Sequence, residues 1–290
     1  MTTIKTYKTE ERFILNVGKI SDQTFNRFSQ LIYHRLGIKM PISKKNMLQA
    51  RLMKRLRELR ISTYEEYYEY LTSEEGLLYE LGNMVNVVTT NKTDFFRENK
   101  HFEFLSRSLL PSFYNNHKGK PLKIWSAGCS IGAEPYTMAM VLFEFAESHP
   151  NFTFNIWATD ISTHVLEKAK LGIYDHGMAE PIPFEYRKKY LLRSKNQSKE
   201  LIRVIPRLRS VVRFKPLNFM DDVYDLKETM DIVFCRNVII YFDRQTQENV
   251  LNKICRHLRS GGYLFMGHSE TLNTLNVPVK AVLSTIYRKI

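Results

Sequence analysis

The chain has 290 residues, is 43% hydrophobic and carries a formal net charge of +13. It is too apolar for a disordered chain, its length fits two domains or one large one, and its charge implies an anionic partner: nucleic acid, a membrane surface or an acidic protein. Three widely separated cysteines form no metal-spaced pair and indicate a reducing cytoplasm. The polar start, MTTIKTYKTEERF, predicts no signal peptide, and no apolar run reaches the roughly 18 residues of a membrane span.

Residues 20–110 predict helices with almost no strand signal. Four helix starts are expected at capping residues: Ser43, Ser62 with Glu65, Ser73, and Thr93 or Asp94. The first helix runs to about Arg60 on an apolar stripe: Leu48, Leu52, Leu56 and Leu59. The fourth is expected to end at Pro111, and the polar segment 115–121 predicts a linker.

From residue 122 onward, strand-like and helix-like segments alternate, which predicts an α/β fold with a mostly parallel sheet. The predicted strands are 122–127, 152–159, 211–217, 231–237 and 263–268. Gly261 and Gly262 are expected to end the last helix. Residues 174–210 break the alternation and predict an inserted small antiparallel element.

Residues 124–136, IWSAGCSIGAEPY, predict a buried strand, a tight turn and a helix start, which bring backbone N–H groups close to a ligand. The turn at Gly128 lacks the second glycine of the dinucleotide motif, so S-adenosylmethionine fits better than a pyrophosphate cofactor. Glu134 is a candidate acceptor for the amino group of that cofactor, or it complements the helix dipole. Asp160, at the end of the second strand, is a candidate ribose ligand, or it caps the next helix.

An alternative is an α/β-hydrolase, because Gly128–Gly132 spells G-x-S-x-G around Ser130. Asp231 and His268 even follow in the order that a catalytic triad of that class needs. Against this, everything before residue 120 is predicted helical and no HGGG-like segment precedes the turn.

Two further segments, 89–97 and 234–243, concentrate polar side chains beside aromatic ones. Their candidate site residues are Asn91, Thr93, Arg97, Arg236, Asn237 and Tyr241. An arginine at the end of a buried strand, as at position 236, is costly unless it is paired or faces a site. For position 97, an ordinary exposed helix residue is an equally good interpretation.

Six segments in order, TTNKTDFFRE, WSAGCSIGAEPYT, ATDIS…VLEKAKLGIY, FKPLNF, DIVFCRNVIIYFD and GGYLFMGHSE, resemble the CheR family of chemotaxis receptor methyltransferases from about residue 25 to 286. The resemblance implies a Rossmann-like S-adenosylmethionine methyltransferase sheet with an N-terminal all-α domain and a small antiparallel β insertion. It places a helical receptor-recognition domain at 1–85, the methyltransferase domain at 86–290 and the β-subdomain at 174–210.

The resemblance further implies a cytoplasmic enzyme that transfers a methyl group from S-adenosylmethionine to glutamate side chains of chemoreceptor helices. The products are glutamate γ-methyl esters and S-adenosylhomocysteine, formed in chemotaxis adaptation. Arg97 and Tyr241 are the implied catalytic residues. The implied cofactor contacts are Asn91, Thr93, Arg97, Gly128, Glu134, Asp160, Asn218, Phe219, Arg236 and Asn237. The alternatives are a methyltransferase of the same fold acting on another acidic protein, and a receptor-binding module that holds the cofactor with little turnover.

The predicted first helix carries most of the local positive charge, and the family places receptor recognition on it. The receptor-binding candidates are Arg51, Lys54, Arg55 and Arg57. A basic helix would steer glutamate-rich receptor helices, although a solvated basic face is the plainer interpretation. Without interleaved aromatic residues or a nucleic-acid fold signature, nucleic acid is not the expected partner. We expect a monomer with no metal site and no membrane insertion.

Overall fold

The structure is a computed structural model that describes residues 18–117, 119–196 and 198–290. The start of the chain, where no signal peptide is predicted, lies outside the described residues, as does Lys118 of the predicted linker. Two compact units divide the chain. One holds the described residues up to Gln30 together with Met40–Val88, and the other holds Leu31–Lys39 and Thr89–Ile290.

The first unit is built from helices, as the sequence predicts. The helices are α1 (Asp22–Leu36), α2 (Lys45–Leu59), α3 (Tyr64–Thr72), α4 (Glu74–Tyr79) and α5 (Leu81–Val88). The last residues of α1, from Leu31, belong to the second unit. The predicted stripe of α2 is confirmed at Leu48, Leu52 and Leu56, which are fully buried and form part of the core, whereas Leu59, at the end of the helix, is only half-buried.

The helix caps differ in detail from the predicted ones. The capping box is one residue later than expected: Thr63 Oγ1 accepts from Glu66 N at 3.2 Å, and the Glu66 side chain accepts from Thr63 N at 3.2 Å. The sequence offers a hydroxyl three residues before a glutamate at two successive positions, so spacing alone does not choose between them. Ser73 is confirmed, since its hydroxyl accepts from Gly76 N at 3.1 Å. Ser43 is wrong, because it lies inside a 3₁₀ turn, Ile42–Lys44, that leads into α2.

The second unit also contains helices on both sides of its main sheet. They are α6 (Lys100–Phe104), α7 (Leu110–Asn116), α8 (Ala133–Ser148), α9 (Thr163–Leu171), α10 (Phe184–Tyr190), α11 (Pro206–Ser210) and α12 (Arg244–Arg256). The predicted helix start at Thr93 or Asp94 is wrong: the helix begins at Lys100, after turns in which Phe96 and Glu98 have φ values of 52° and 57°. Among all described residues of the chain, no helix has both the length and the apolar character that crossing a membrane requires.

The helix also continues past Pro111, where it was expected to end. A π-helical turn, Leu105–Leu109, joins α6 to α7, and the proline lies in the first turn of α7. Proline lacks the N–H that an interior helical position needs, and a wider turn immediately before it changes the hydrogen-bond register. The chain therefore passes through the proline and stays helical to Asn116.

Within the described residues, ten strands form two sheets. They are β1 (Leu122–Ala127), β2 (Phe154–Asp160), β3 (Ile173–Asp175), β4 (Leu191–Arg193), β5 (Leu201–Val204), β6 (Val212–Pro216), β7 (Met230–Cys235), β8 (Leu258–Met266), β9 (Val279–Leu283) and β10 (Ile286–Lys289). The main sheet has the order β6-β2-β1-β7-β8-β10-β9, with β6 to β8 parallel and β10 antiparallel to both neighbours. The small sheet, β3-β5-β4, is antiparallel. The α/β fold and its antiparallel insertion are confirmed.

Gly261 and Gly262 do not end a helix. The last helix ends at Arg256, and both glycines lie within β8. The pairing of β7 with β8 shifts register there, and Gly261 has a φ of 72°. A Cβ on Gly262 would lie 2.8 Å from the carbonyl oxygen of Asp231. The glycines therefore accommodate a β-bulge against the neighbouring strand.

The central strands β1 and β7 of the main sheet are buried on both faces, as strands of parallel sheets generally are. Along β1, Ile124 belongs to one apolar cluster and Trp125 to the other, so the two side chains face opposite layers. On one side of β1 the sheet continues with β2 and then β6. On the other side it continues with β7 and then β8. The strand order thus reverses beside β1, and a ligand crevice is expected at the carboxyl ends of these strands.

Candidate active site

The turn after β1 is shaped by backbone conformations that favour glycine. Gly128 has a φ of 89°, and Ser130 has a φ of 50°. The N–H groups of Gly128 and Cys129 both donate to the carbonyl oxygen of Thr159, at 2.8 and 2.9 Å. A Cβ on Gly128 would lie 2.4 Å from Val238 Cγ2. A side chain at this position would therefore both strain the backbone and displace the segment after β7.

The carboxylate of Asp160 lies beside this turn, at the end of β2. Its Oδ2 accepts from Ser130 N at 2.8 Å, and its Oδ1 accepts from Ser162 N at 3.0 Å. Burial raises the pKa of Asp160, and these backbone hydrogen bonds oppose the rise. The N–H of Ile161 is a third backbone donor to this carboxylate. A carboxylate has about four acceptor positions, so Asp160 keeps capacity for a ribose hydroxyl.

Glu134 lies in the first turn of α8, directly after the turn that follows β1. Ser126 Oγ donates to its Oε1 at 2.7 Å, and Arg236 Nη1 donates to its Oε2 at 3.2 Å. Burial raises the pKa of Glu134, while the charges of Arg236 and Arg97 lower it. A buried carboxylate in this position favours a ligand that brings a positive charge.

Arg236 follows the last residue of β7, and its side chain is only 2% exposed. Its Nη2 lies 3.1 Å from Glu98 Oε2, and the same nitrogen donates to the carbonyl oxygen of Arg97. Together with the bond to Glu134, these contacts offset the cost of burying the guanidinium. The sequence left open whether Arg236 is paired or faces a site; it is paired, and it holds the 91–98 segment beside α8.

The side chain of Arg97 remains half-exposed, with Nη1 donating to the carbonyl oxygen of Lys92 at 3.1 Å. Asn91 joins the turn after β1, because its carbonyl oxygen accepts from Ser130 Oγ at 2.8 Å. Its amide donates to Thr89 Oγ1 at 3.3 Å. Thr93 is half-buried on the same segment.

Sequence reasoning missed two glutamates that organise the loops. Glu98 Oε1 accepts from Asn237 Nδ2 at 3.3 Å and from His268 N at 3.2 Å. Burial would raise the pKa of Glu98, but Arg236 and these bonds hold it below the usual value. Glu270 is 3% exposed and accepts from four backbone N–H groups: Asn237, Val238, Ile239 and Gly267, at 2.7–2.9 Å. The sequence signal for Glu270 was an acid shortly after an apolar strand, and Glu98 follows no strand.

The remaining predicted residues lie on loops that follow β6 and β7. Tyr241 is half-buried at the end of a 3₁₀ turn, Ile239–Tyr241, and its carbonyl oxygen accepts from Lys39 N at 3.0 Å. Asn218 uses both polar ends locally: Nδ2 donates to Arg35 O at 2.8 Å and Oδ1 accepts from Met220 N at 3.0 Å. Phe219 is buried beside it.

Direct contacts thus bring together most of the predicted cofactor residues: Asn91, Arg97, Glu134, Asp160, Arg236, Asn237 and the turn at Gly128. The hydrolase alternative is excluded by topology. Ser130 follows the carboxyl end of β1, whereas Asp231 lies at the amino end of the parallel strand β7, at the opposite edge of the sheet. There Asp231 pairs with Arg259 at 2.6 Å.

The four basic candidates on α2 have different environments within the helical unit. Arg55 makes two bonds of 2.7 Å to the carboxylate of Glu80, which is 2% exposed, and that carboxylate also accepts from Tyr67. Arg51 donates to a backbone carbonyl. Lys54 and Arg57 are exposed.

The strand order, with Asp160 and Glu134 beside the turn after β1, is that of an S-adenosylmethionine-dependent methyltransferase. The family model described as "CheR methyltransferase, SAM binding domain" matches residues 91–288, and "CheR methyltransferase, all-alpha domain" matches residues 23–89. The chain therefore belongs to the CheR family.

Relatives named chemotaxis protein methyltransferase cover nearly all of the chain. The protein from Borreliella burgdorferi is 37% identical over 287 residues, which span 97% of this chain and 98% of that protein. The protein from Escherichia coli is 37% identical over 256 residues, spanning 88% and 87%. "Chemotaxis protein methyltransferase 2" of Pseudomonas aeruginosa is 36% identical over 265 residues, spanning 91% and 92%. S-adenosylmethionine is thus the cofactor, and the methylation serves chemotaxis.

Proposed function

We propose that this chain transfers the methyl group of S-adenosylmethionine to glutamate side chains of chemoreceptor cytoplasmic helices, forming γ-methyl esters and S-adenosylhomocysteine. The observation that carries the proposal is that the Arg236 guanidinium donates both to the Glu134 carboxylate and to the backbone carbonyl of Arg97. It therefore holds a candidate cofactor residue next to a candidate substrate residue. We assign receptor recognition to about residues 1–85 and catalysis to 86–290, with 174–210 as a β-subdomain.

The acids of the crevice suit this cofactor. Asp160 has acceptor capacity for a ribose hydroxyl, and the Glu134 carboxylate, with a side chain 14% exposed, suits the ammonium of the amino-acid tail. The bound cofactor supplies an electrophilic sulfonium methyl group. Arg236 and Asn237 then act by holding Glu134 and Glu98 in place. We keep Asn91, Thr93, Gly128, Asn218 and Phe219 as cofactor-site predictions.

Arg97 and Tyr241 are our candidates for positioning the substrate. A glutamate carboxylate is already a nucleophile, so alignment and exclusion of water matter more than a general base. The half-exposed guanidinium of Arg97 can orient that carboxylate by a charge-assisted hydrogen bond. The Tyr241 hydroxyl would share the carboxylate, so that neither partner holds it too tightly to react.

We propose that α2 carries the receptor-binding surface. The environments of its basic side chains restrict which of them can contact a receptor. Arg55 is engaged with a buried glutamate, which makes it a structural residue first. Lys54 and Arg57 are exposed and can attract glutamate-rich helices through charge complementarity. We expect their replacement to slow association and to raise KM, with less effect on kcat.

The test is transfer of a labelled methyl group to receptor fragments, scored as base-labile ester. Arg97→Ala should lower kcat/KM about tenfold to a hundredfold, since a hydrogen bond to a charged group is worth about 1.5–3 kcal/mol. The matched control is Arg107→Ala, which removes an exposed arginine nearby in the sequence and should leave kcat/KM near the wild-type value. Label in another acidic protein but not in receptors would favour the first alternative, and cofactor binding without transfer would favour the second.

A further inference from the structure

The imidazole of His101 has one protonated nitrogen whose position the structure defines. His101 is 2% exposed, and its Nε2 lies 2.9 Å from Thr285 Oγ1. The hydroxyl of Thr285 donates its single hydrogen to the carbonyl oxygen of Ser284, at 2.6 Å. The hydroxyl must therefore accept from the imidazole, so Nε2 carries the proton. A neutral imidazole that is protonated on Nε2 keeps a lone pair on Nδ1.

That lone pair faces a second acceptor. Nδ1 of His101 is buried without a hydrogen-bond partner among the described residues, and it lies 3.7 Å from Glu98 Oε2. An imidazole lone pair and a carboxylate oxygen repel each other unless a donor or a cation lies between them. A second imidazole, that of His268, lies beside the first, and the ligand atoms of all three side chains are within 4.8 Å of one another.

We propose that Glu98, His101 and His268 bind a divalent transition-metal ion of the zinc type, a property separate from the methyl transfer proposed above. Neutral imidazole and carboxylate are ligands that zinc prefers, at about 2.0–2.2 Å. Two ligands of a tetrahedral site are then about 3.4 Å apart, close to the 3.7 Å found between His101 and Glu98. His268 is exposed, so its side chain is free to complete the site by a change of rotamer.

The surroundings of His101 also match a metal ligand. A ligating imidazole generally donates its other N–H to a fixed acceptor, and Thr285 fills this role. The nearest opposing charge is that of Arg236, which Glu98 and Glu134 more than balance. The competing occupant is a water molecule, which would donate to Nδ1 and to the carboxylate and would leave the site without metal affinity.

The experiment is calorimetric titration of chelator-treated, tag-free full-length protein with zinc chloride, repeated with cobalt(II) in visible absorption. We expect one equivalent to bind, with cobalt d–d bands and no thiolate charge transfer, because Cys129, Cys235 and Cys255 are buried with raised thiol pKa values. His268→Ala should weaken zinc binding at least about tenfold. His164→Ala, which removes an exposed histidine of α9, is the control and should bind like wild type.

Three outcomes would overturn the proposal. These are the absence of binding to the wild type, equal affinity in His268→Ala and wild type, or a cobalt spectrum dominated by thiolate. Circular dichroism of His268→Ala separates lost ligation from lost folding. The methyl-transfer assay is not part of this test, so failure of the metal site leaves the proposed function standing.

Discussion

Replacing Glu270 by glutamine tests whether one buried carboxylate holds the loop that follows β7. Its Oε2 accepts from Asn237 N and Gly267 N, at 2.8 and 2.7 Å, and its Oε1 accepts from Val238 N and Ile239 N, at 2.8 and 2.9 Å. Glutamine keeps one oxygen, but its NH₂ group must face two N–H donors. Two hydrogen bonds are therefore lost in either orientation of the amide.

The expected loss of stability follows from that geometry. Each hydrogen bond to a charged group is worth about 1.5–3 kcal/mol, so Glu270→Gln should lower the free energy of unfolding by about 3–6 kcal/mol. The assay is denaturant unfolding at neutral pH, together with calorimetric titration of S-adenosylhomocysteine. Affinity should fall as well, because the same loop begins at Asn237 and leads to Tyr241.

The matched control is Glu103→Gln, at an exposed position of α6. An exposed substitution of this kind should change the free energy of unfolding by no more than about 0.5 kcal/mol. A loss below about 1 kcal/mol for Glu270→Gln would refute the reasoning, since it would mean that the loop finds other acceptors for its N–H groups.

Three further predictions concern single positions. Arg55→Met leaves the buried carboxylate of Glu80 without its cation, so the free energy of unfolding should fall by about 3–5 kcal/mol in a denaturant titration. The double variant Arg55→Met with Glu80→Leu should recover much of that loss. Gly128→Ala puts a Cβ 2.4 Å from Val238 Cγ2 at a φ of 89°, so cofactor affinity should drop by calorimetry, and Val238→Ala should restore part of it. Burial raises the pKa of Asp160 above the usual aspartate value of 3.8, and protonation weakens the carboxylate as an acceptor. As the pH is lowered, cofactor affinity should therefore begin to fall at a higher pH than 3.8 implies. Asp160→Asn should bind the cofactor weakly and lack that transition.

The sequence predicts the elements whose signal is local. Strand β1 is predicted to the residue, because nearly every side chain in it is buried and the run is bounded by proline and glycine. The terminal hairpin of β9 and β10 was not predicted: β9 is mostly exposed, and its apolar residues do not alternate with polar ones as they do in a half-buried strand. The glycine pair in β8 was misinterpreted because two glycines after a helical pattern indicate a helix end, whereas the bulge depends on pairing with a distant strand.

The site shows the same division. Candidate residues that directly follow apolar strands, such as Asp160 and Arg236, were predictable because the carboxyl ends of parallel strands share one edge. Glu98 and Glu270 were not, because their partners are backbone N–H groups and a guanidinium far away along the chain. A sequence pattern identifies a side chain that follows a strand, but it does not identify which backbone donors a buried acid will satisfy.

Arg236 explains why the acids of two distant segments belong to one site. A buried guanidinium needs several acceptors at once, and it finds them in Glu98, Glu134 and the carbonyl oxygen of Arg97. The carboxylate of Glu134 and the backbone of Arg97, our candidates for contacting the cofactor and the substrate, are thereby held by the same planar group. Lysine has a single ammonium in place of this fork, so it would not hold all three partners in one geometry. An arginine at the end of β7 therefore suits a position where three acceptors meet, and we expect it to align the proposed cofactor and substrate sites.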